Sequence, residues 1–245
     1  MSVAVSSDPA SSLCVRLDDT TEIFAVAAGF GVIDGIPAAR ATLERLRAEC
    51  ERRGRTERFM RALRRGQPAI EALLAIVARV NGELFARSAS HDDYVTAGSS
   101  LTIVLVSGRR AFVAHAGGTA AYLLRAGYVV ALTQDDAIED GRILSRSIGT
   151  QLQVDASMCR FTVEDGDVLA LCTRRLRDDE GRRRLAVALA GRAPLTSSSQ
   201  CVAIVRFGTD DVPSPEPAAH SRTWPRPSVV VAAAIFCALA FCLTQ

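Results

Sequence analysis

Turn signals set between short apolar runs constrain this chain more than any other feature. Leu101 to Val106 and Ala111 to Ala116 flank Ser107-Gly108-Arg109-Arg110, and Ala120 to Arg125 and Tyr128 to Leu132 flank Ala126-Gly127. Each pair has the length and apolar content of two strands joined by a tight turn. Cys159 to Val163 and Val168 to Cys172 flank Glu164-Asp165-Gly166-Asp167 and predict a third hairpin, and Cys201 to Phe207 a final strand. Ile23 to Ala27 predicts an earlier short strand, with Gly29, Gly31 and Gly35 in the loop after it.

Helical patterns interrupt the strands. Ile36, Ala39, Leu43, Leu46 and Cys50 recur at alternating three- and four-residue spacing, with Asp34 placed to cap the helix and Pro37 in its first turn. Ile70, Leu73, Leu74, Val77, Val80 and Leu84 mark a second helix from about Pro68. Asp178, Asp179 and Glu180 suit the N-terminus of a later one. The expected class is α+β, antiparallel sheets with helices packed outside.

Composition bounds the rest. The chain has 245 residues, 49% of them hydrophobic, enough for one domain with a core and a tail. A formal net charge of +2 gives no global field that would favour nucleic acid, and none is expected as a partner. All 29 basic residues are Arg, which reads as codon bias. Arg45 to Arg65 holds nine Arg beside Glu49, Glu51 and Glu57 and reads as a solvated helical face; a nucleic-acid or lipid patch is the lesser reading. The seven Cys are odd in number with no Cys-x-x-Cys spacing, so neither a zinc site nor a disulfide framework follows. A reducing compartment is expected.

The C-terminal end differs in kind. Residues 210–227 carry five Pro and read as an extended linker. Residues 228–243 are uncharged and apolar on every helical face, with Trp224, Arg222 and Arg226 just before them. Sixteen helical residues span about 24 Å, short of the roughly 30 Å hydrocarbon core. The run still reads as a single-pass tail anchor, with the domain, residues 1–209, in the cytoplasm.

The strands and turns carry a resemblance. Val26-Ala27-Ala28-Gly29-Phe30-Gly31-Val32-Ile33 resembles V-A-D-G-M-G-G-H, and Gly98-Ser99-Ser100-Leu101-Thr102 resembles the Gly-Ser opening of a central hairpin. The run Ala114-His115-Ala116-Gly117-Gly118-Thr119-Ala120-Ala121-Tyr122-Leu123-Leu124-Arg125-Ala126-Gly127 resembles A-N-V-G-D-S-R-A-Y-L-L-R-x-G. Leu132-Thr133-Gln134-Asp135-Asp136 resembles L-T-x-D-H, and Leu144-Ser145-Arg146-Ser147-Ile148-Gly149 resembles L-T-R-A-L-G. Gly166-Asp167-Val168-Leu169-Ala170-Leu171-Cys172-Thr173-Arg174-Arg175-Leu176 resembles G-D-x-L-L-L-C-S-D-G-L, and Ser198 to Arg206 resembles D-N-x-T-V-V-V-V-R. These are motifs, in order, of the type 2C (PPM-type) family of metal-dependent protein phosphatases. Over residues 20 to 207 the resemblance implies two stacked antiparallel β-sheets flanked by helices. It also implies hydrolysis of phosphoserine and phosphothreonine by water held between two divalent ions, Mg²⁺ or Mn²⁺.

The chain departs from the family where that chemistry resides. The four Asp positions hold Ala28, Gly118, Arg174 and Ser198, although Gly29 is retained. Arg174 puts a positive charge where a cation would sit. At about 4 Å and an effective dielectric of 20 a divalent ion would feel roughly 8 kcal/mol of repulsion. The family's early Arg and N-E-D run are not identifiable before Ile23, and only 21 residues separate Leu176 from Ser198, where the family has a longer insert. No catalytic or metal-binding residue is therefore expected and no cofactor. The chain reads as a degenerate member, a pseudophosphatase that binds or regulates a protein partner such as a kinase or phosphoprotein, with Arg174 and Arg175 as a candidate anion site. The alternative is an active phosphatase with a rearranged Mn²⁺ or Mg²⁺ site, for which His91, Asp92 and Asp93 form the most metal-like cluster; a solvated turn is their plainer reading. Asp34 reads as a helix cap, Asp165 and Asp167 as turn residues, and His115 as a structural histidine.

Overall fold

The two central hairpins form as their turn signals predict. Strand β6 (Gly98–Ser107) pairs antiparallel with β7 (Arg110–Ala116), and β8 (Ala120–Arg125) with β9 (Tyr128–Ala131). The computed structural model describes residues 2–5, 11–88, 97–138, 143–176, 178–191 and 201–208, all within the compact unit Met1–Asp211.

Two five-stranded sheets result. The first runs β1 (Ser2–Val5), β14 (Cys201–Arg206), β13 (Val168–Cys172), β8, β9. The second runs β12 (Ser157–Thr162), β7, β6, β3 (Thr21–Phe30), β2 (Ser12–Asp18). Strand alternation sets the layers. Phe24 and Val26 of β3 and Val104 and Val106 of β6 turn inward against Leu169, Leu171 and Val205 of the opposite sheet. Their neighbours Ile23, Ala25, Ala27, Ile103 and Leu105 turn outward beneath helices α1 (Ala38–Gly54) and α3 (Gly66–Ser88). All ten residues of β6 are buried, as both faces of a central strand must be. The outer face of the first sheet, including Tyr122, Leu124 and Ile204, packs on Leu185 and Leu189 of α4 (Asp179–Leu189). Asp178 caps α4 through the Gly181 amide, 2.8 Å away, as its sequence implies.

Several expectations are corrected. Residues 159–172 do not form a hairpin: β12 pairs with β7, and β13 with β8 and β14 in the other sheet. The Glu164–Asp167 turn is a corner between sheets. Asp167, 1% exposed, accepts from the Glu164 amide at 2.8 Å and from Arg125 through Nε at 2.8 Å and Nη2 at 2.6 Å. Asp34 is not a helix cap. It and Gly35 have φ of 52° and 76° and form the two-residue turn between β4 (Val32–Ile33) and β5 (Ile36–Pro37). Pro37 is the residue that precedes α1, without a side-chain cap. The first strand is longer than Ile23–Ala27 and takes in Gly29, and β2 precedes it. The nine arginines of residues 45–65, over much of α1, all of α2 (Glu57–Leu63) and the residues flanking α2, do lie mostly on exposed faces, several in pairs such as Arg47–Glu51 and Arg61–Glu57. The linker 210–227 and the apolar run 228–243 lie outside the described residues, and among the described residues no helix is long and apolar enough to cross a membrane.

Candidate functional site

One end of the sandwich gathers the substituted positions. Ala28 of β3 is in register with Ser100 of β6, and the Gly118 amide donates to Ser100 Oγ at 2.8 Å. Cys172 of β13 pairs with Ala120 of β8, and Arg174 and Gly118 each lie two residues beyond that last pair, at the same end of the sheet. Ser198, the fourth position, lies outside the described residues, as do His91, Asp92 and Asp93.

Local packing separates the two glycines. A Cβ on Gly29 would stand 2.5 Å from the Ala39 amide nitrogen, so the first turn of α1 presses directly on this strand. Its retention has a packing cause. A Cβ on Gly118 would meet only Leu144 Cδ2 at 3.4 Å and Ser100 Oγ at 3.8 Å, and the backbone there is not left-handed. A Cβ at 118 would make only ordinary contacts.

The two arginines differ. Arg174 is exposed and has no ion-pair partner among the described residues. Arg175 is half-buried, and its Nη1 donates to the Thr133 carbonyl at 2.6 Å. The next amide, Leu176, donates to the Tyr122 hydroxyl at 2.7 Å, and burial first of all pushes that phenol's pKa up. Arg175 and Tyr122 thus pin the segment that carries Arg174. Sequence reasoning did not single out Tyr122, an ordinary residue of β8, or Thr133, just past β9, because their partners come from the segment after β13.

Two carboxylates at this end are already engaged. Asp34 pairs with Arg87 at 2.5 Å. Asp136, 6% exposed, accepts from the Gly117 amide at 2.8 Å through Oδ2 and from Arg146 through Oδ1. Arg146 also donates to Ser157 Oγ at 2.7 Å and to the Asp155 carbonyl at 2.7 Å. Among the described residues no group of three or more His, Cys, Asp or Glu stands where it would hold a metal. Arginine-bound carboxylates such as Asp34 and Asp136 beside an exposed Arg174 do not fit a pair of hard divalent ions.

Beneath lies a sealed polar network. His115 Nδ1 is 2.9 Å from Thr102 Oγ1, which also contacts Thr119 Oγ1 at 2.8 Å. His115 Nε2 lies 3.7 Å from Asp136 Oδ2, beyond hydrogen-bond range, and has no hydrogen-bond partner among the described residues. The order Thr102–His115–Asp136 mimics a nucleophile, base and acid, but Thr102 is fully buried and no substrate reaches it. Burial above all, then Arg146, holds the His115 pKa below 6.5, with Asp136 opposing. The unfolded chain takes up that proton more readily. The stability that neutral His115 contributes is therefore complete above about pH 6.5 and is lost as pH falls from there toward the lower folded value. Denaturation midpoints measured above and below this window should fall on the acid side, and His115→Gln should flatten that part of the dependence.

Asn81 of α3, 1% exposed, fixes the neighbouring loop. Its Nδ2 donates to the carbonyls of Gln151 at 2.9 Å and Leu152 at 3.2 Å, and its Oδ1 accepts from the Gly149 amide at 2.9 Å. A polar residue inside an otherwise apolar helical stripe was the signal available in the sequence.

No family model matches the chain, and no curated protein matches it. Solved structures do. A serine/threonine phosphatase of S. agalactiae matches with a TM-score of 0.61 at 16% identity, over 84% of this chain and 97% of that one. Serine/threonine phosphatase Stp1 from Staphylococcus aureus matches with a TM-score of 0.60 at 14% identity, over 83% and 92%. The Mycobacterium tuberculosis serine/threonine phosphatase PstP/Ppp matches with a TM-score of 0.52 at 18% identity, over 83% and 94%. The paired five-stranded sheets, the flanking helices and these likenesses together identify the fold of this chain as that of the type 2C bacterial serine/threonine phosphatases.

Proposed function

We propose that the chain is a catalytically inactive serine/threonine phosphatase-like module, a pseudophosphatase, that binds or regulates a partner while tethered to a membrane. One observation carries the reading: the sandwich end with Ala28, Gly118 and Arg174 offers an exposed arginine, and two carboxylates there, Asp34 and Asp136, are each held by another arginine. Aryl phosphate hydrolysis by the full chain is expected to be no faster with Mn²⁺ than without it. Metal-dependent turnover abolished by substituting Asp92 or Asp93 would establish the rearranged-site alternative instead.

Without a metal, the same end suits an anion. Arg174 is the contact residue, and Arg175, tied to Thr133, positions it. A phosphorylated or acidic segment of a kinase or other phosphoprotein is the matching partner chemistry. Inorganic phosphate should bind saturably and Arg174→Ala should remove that binding; a titration without saturation sinks the anion site. The membrane tether rests on the apolar run 228–243 behind a Pro-rich linker. Full-length chain resisting alkaline extraction from membranes supports it, and release into the soluble fraction rules it out.

A further inference from the structure

The end of the domain opposite Ala28 and Arg174 has a composition of its own. Strand β3 runs from Phe30, paired with Gly98 at the substituted end, to Thr21, paired with Ser107, roughly 30 Å away. At that far end the β6–β7 turn joins the β2–β3 turn through the Gly108 amide and the Thr20 carbonyl at 2.9 Å. Arg64 of the α2–α3 connection pairs with Asp18 at 3.0 Å, and its carbonyl accepts from Arg110. Residues 52–65 therefore border this end, and they hold seven Arg against one acidic residue, Glu57.

Most carboxylates here are matched: Asp18 by Arg64, Glu57 by Arg61, Glu164 by Arg125 and Asp165 by Arg109. Arg55, Arg58 and Arg65 are exposed and have no carboxylate partner among the described residues, against one unmatched acid, Asp19. The described residues also end here. The Gly166 amide donates to the Phe207 carbonyl at 2.8 Å, and a Cβ on Gly208 would lie 3.6 Å from the Gly166 nitrogen. Gly208, the last described residue, thus sits at the corner that Arg109 joins through Asp165, with the linker and the apolar run following in sequence.

We propose that this arginine-bearing end is a docking face for an anionic lipid surface, with Arg55, Arg58 and Arg65 as its main contacts. The proposal rests on the membrane tether above. The described chain ends at Gly208, at this end, and the unmatched arginines supply the charge that would turn this end, rather than Arg174, toward an anionic leaflet. Three arginines near an anionic leaflet are together worth roughly 100-fold in partition. The substituted end then faces away from the membrane, open to a soluble partner.

Flotation of the full-length chain with vesicles tests this. Vesicles of phosphatidylcholine alone report the apolar run; vesicles that also contain phosphatidylserine report the arginines. The expected result is a gain of roughly 100-fold with phosphatidylserine at about 0.1 M salt. High salt should abolish the gain, and so should the combined variant Arg55→Glu, Arg58→Glu, Arg65→Glu, checked for native circular dichroism. Partition into neutral vesicles with no gain from phosphatidylserine overturns the docking face and leaves the tether standing. A gain that survives the triple variant overturns it too. Arginine-dependent gain without partition into neutral vesicles supports the face and removes the tether. Arginine-dependent binding to RNA with no gain on phosphatidylserine vesicles reassigns the face to nucleic acid and overturns the proposal.

Discussion

Asp136→Ala is expected to lower the unfolding free energy by about 3 kcal/mol, the low end of the cost of breaking a buried ion pair, because Arg146 is 28% exposed. For a domain of this size that corresponds to a melting temperature lower by about 10 °C. The side chain is 6% exposed and satisfies both Arg146 and the Gly117 amide, while its backbone carbonyl accepts from the Ser145 amide and hydroxyl, each at 2.8 Å. Truncation strands the Gly117 amide, leaves Arg146 without its carboxylate, and loosens the ribbon of β10 (Ala137–Ile138) and β11 (Ile143–Leu144), which packs Leu144 beside Gly118. Asp136→Asn keeps an acceptor for Gly117 and should cost less. A denaturant series in which Asp136→Ala costs under about 1 kcal/mol would mean that Asp136 does not organise this end.

The second large effect is a gain. The combined variant Ala28→Asp, Gly118→Asp, Arg174→Asp replaces one positive charge by three negative ones at a single end of the sandwich. Coulomb terms of about 4 kcal/mol per unit charge product at about 4 Å set the upper scale, and desolvation takes back part of it. An increase in Mn²⁺ affinity of at least ~100-fold is expected, read by calorimetry. Gly118 has room for the new side chain, and Ala28 is only partly buried. Heats indistinguishable from those of the unmodified chain would mean that these three positions do not converge on a metal-sized site.

What the sequence disclosed was local. The hairpins at Ser107–Arg110 and Ala126–Gly127 carry their own turn residues, and the helix that buries Leu73, Val77, Val80 and Leu84 carries its own period. Turn chemistry at Glu164–Asp167 was visible, but its partners were not. The same residues serve a hairpin or a corner, and the choice depends on Arg125, some forty residues away, closing on Asp167. Asp34 failed as a cap for a related reason: Asp-Gly suits both a cap and a left-handed turn, and pairing of Ile33 with Ile36 decides between them. At the site, the substitutions at Ala28, Gly118 and Arg174 were legible because each follows a recognisable strand. The neutralisation of Asp34 and Asp136 was not, since Arg87 and Arg146 reach them only in the folded chain. Gly29 changed meaning: retained in the sequence as a remnant of a metal site, it is held in the structure by the approach of Ala39.

The most direct measurement is a calorimetric titration of the full-length chain with Mn²⁺, with aryl phosphate hydrolysis followed in the same samples. A site with Ala28, Gly118 and an exposed Arg174 should give no saturable heat and no metal-dependent turnover. Saturable Mn²⁺ binding accompanied by metal-dependent hydrolysis would contradict the pseudophosphatase reading.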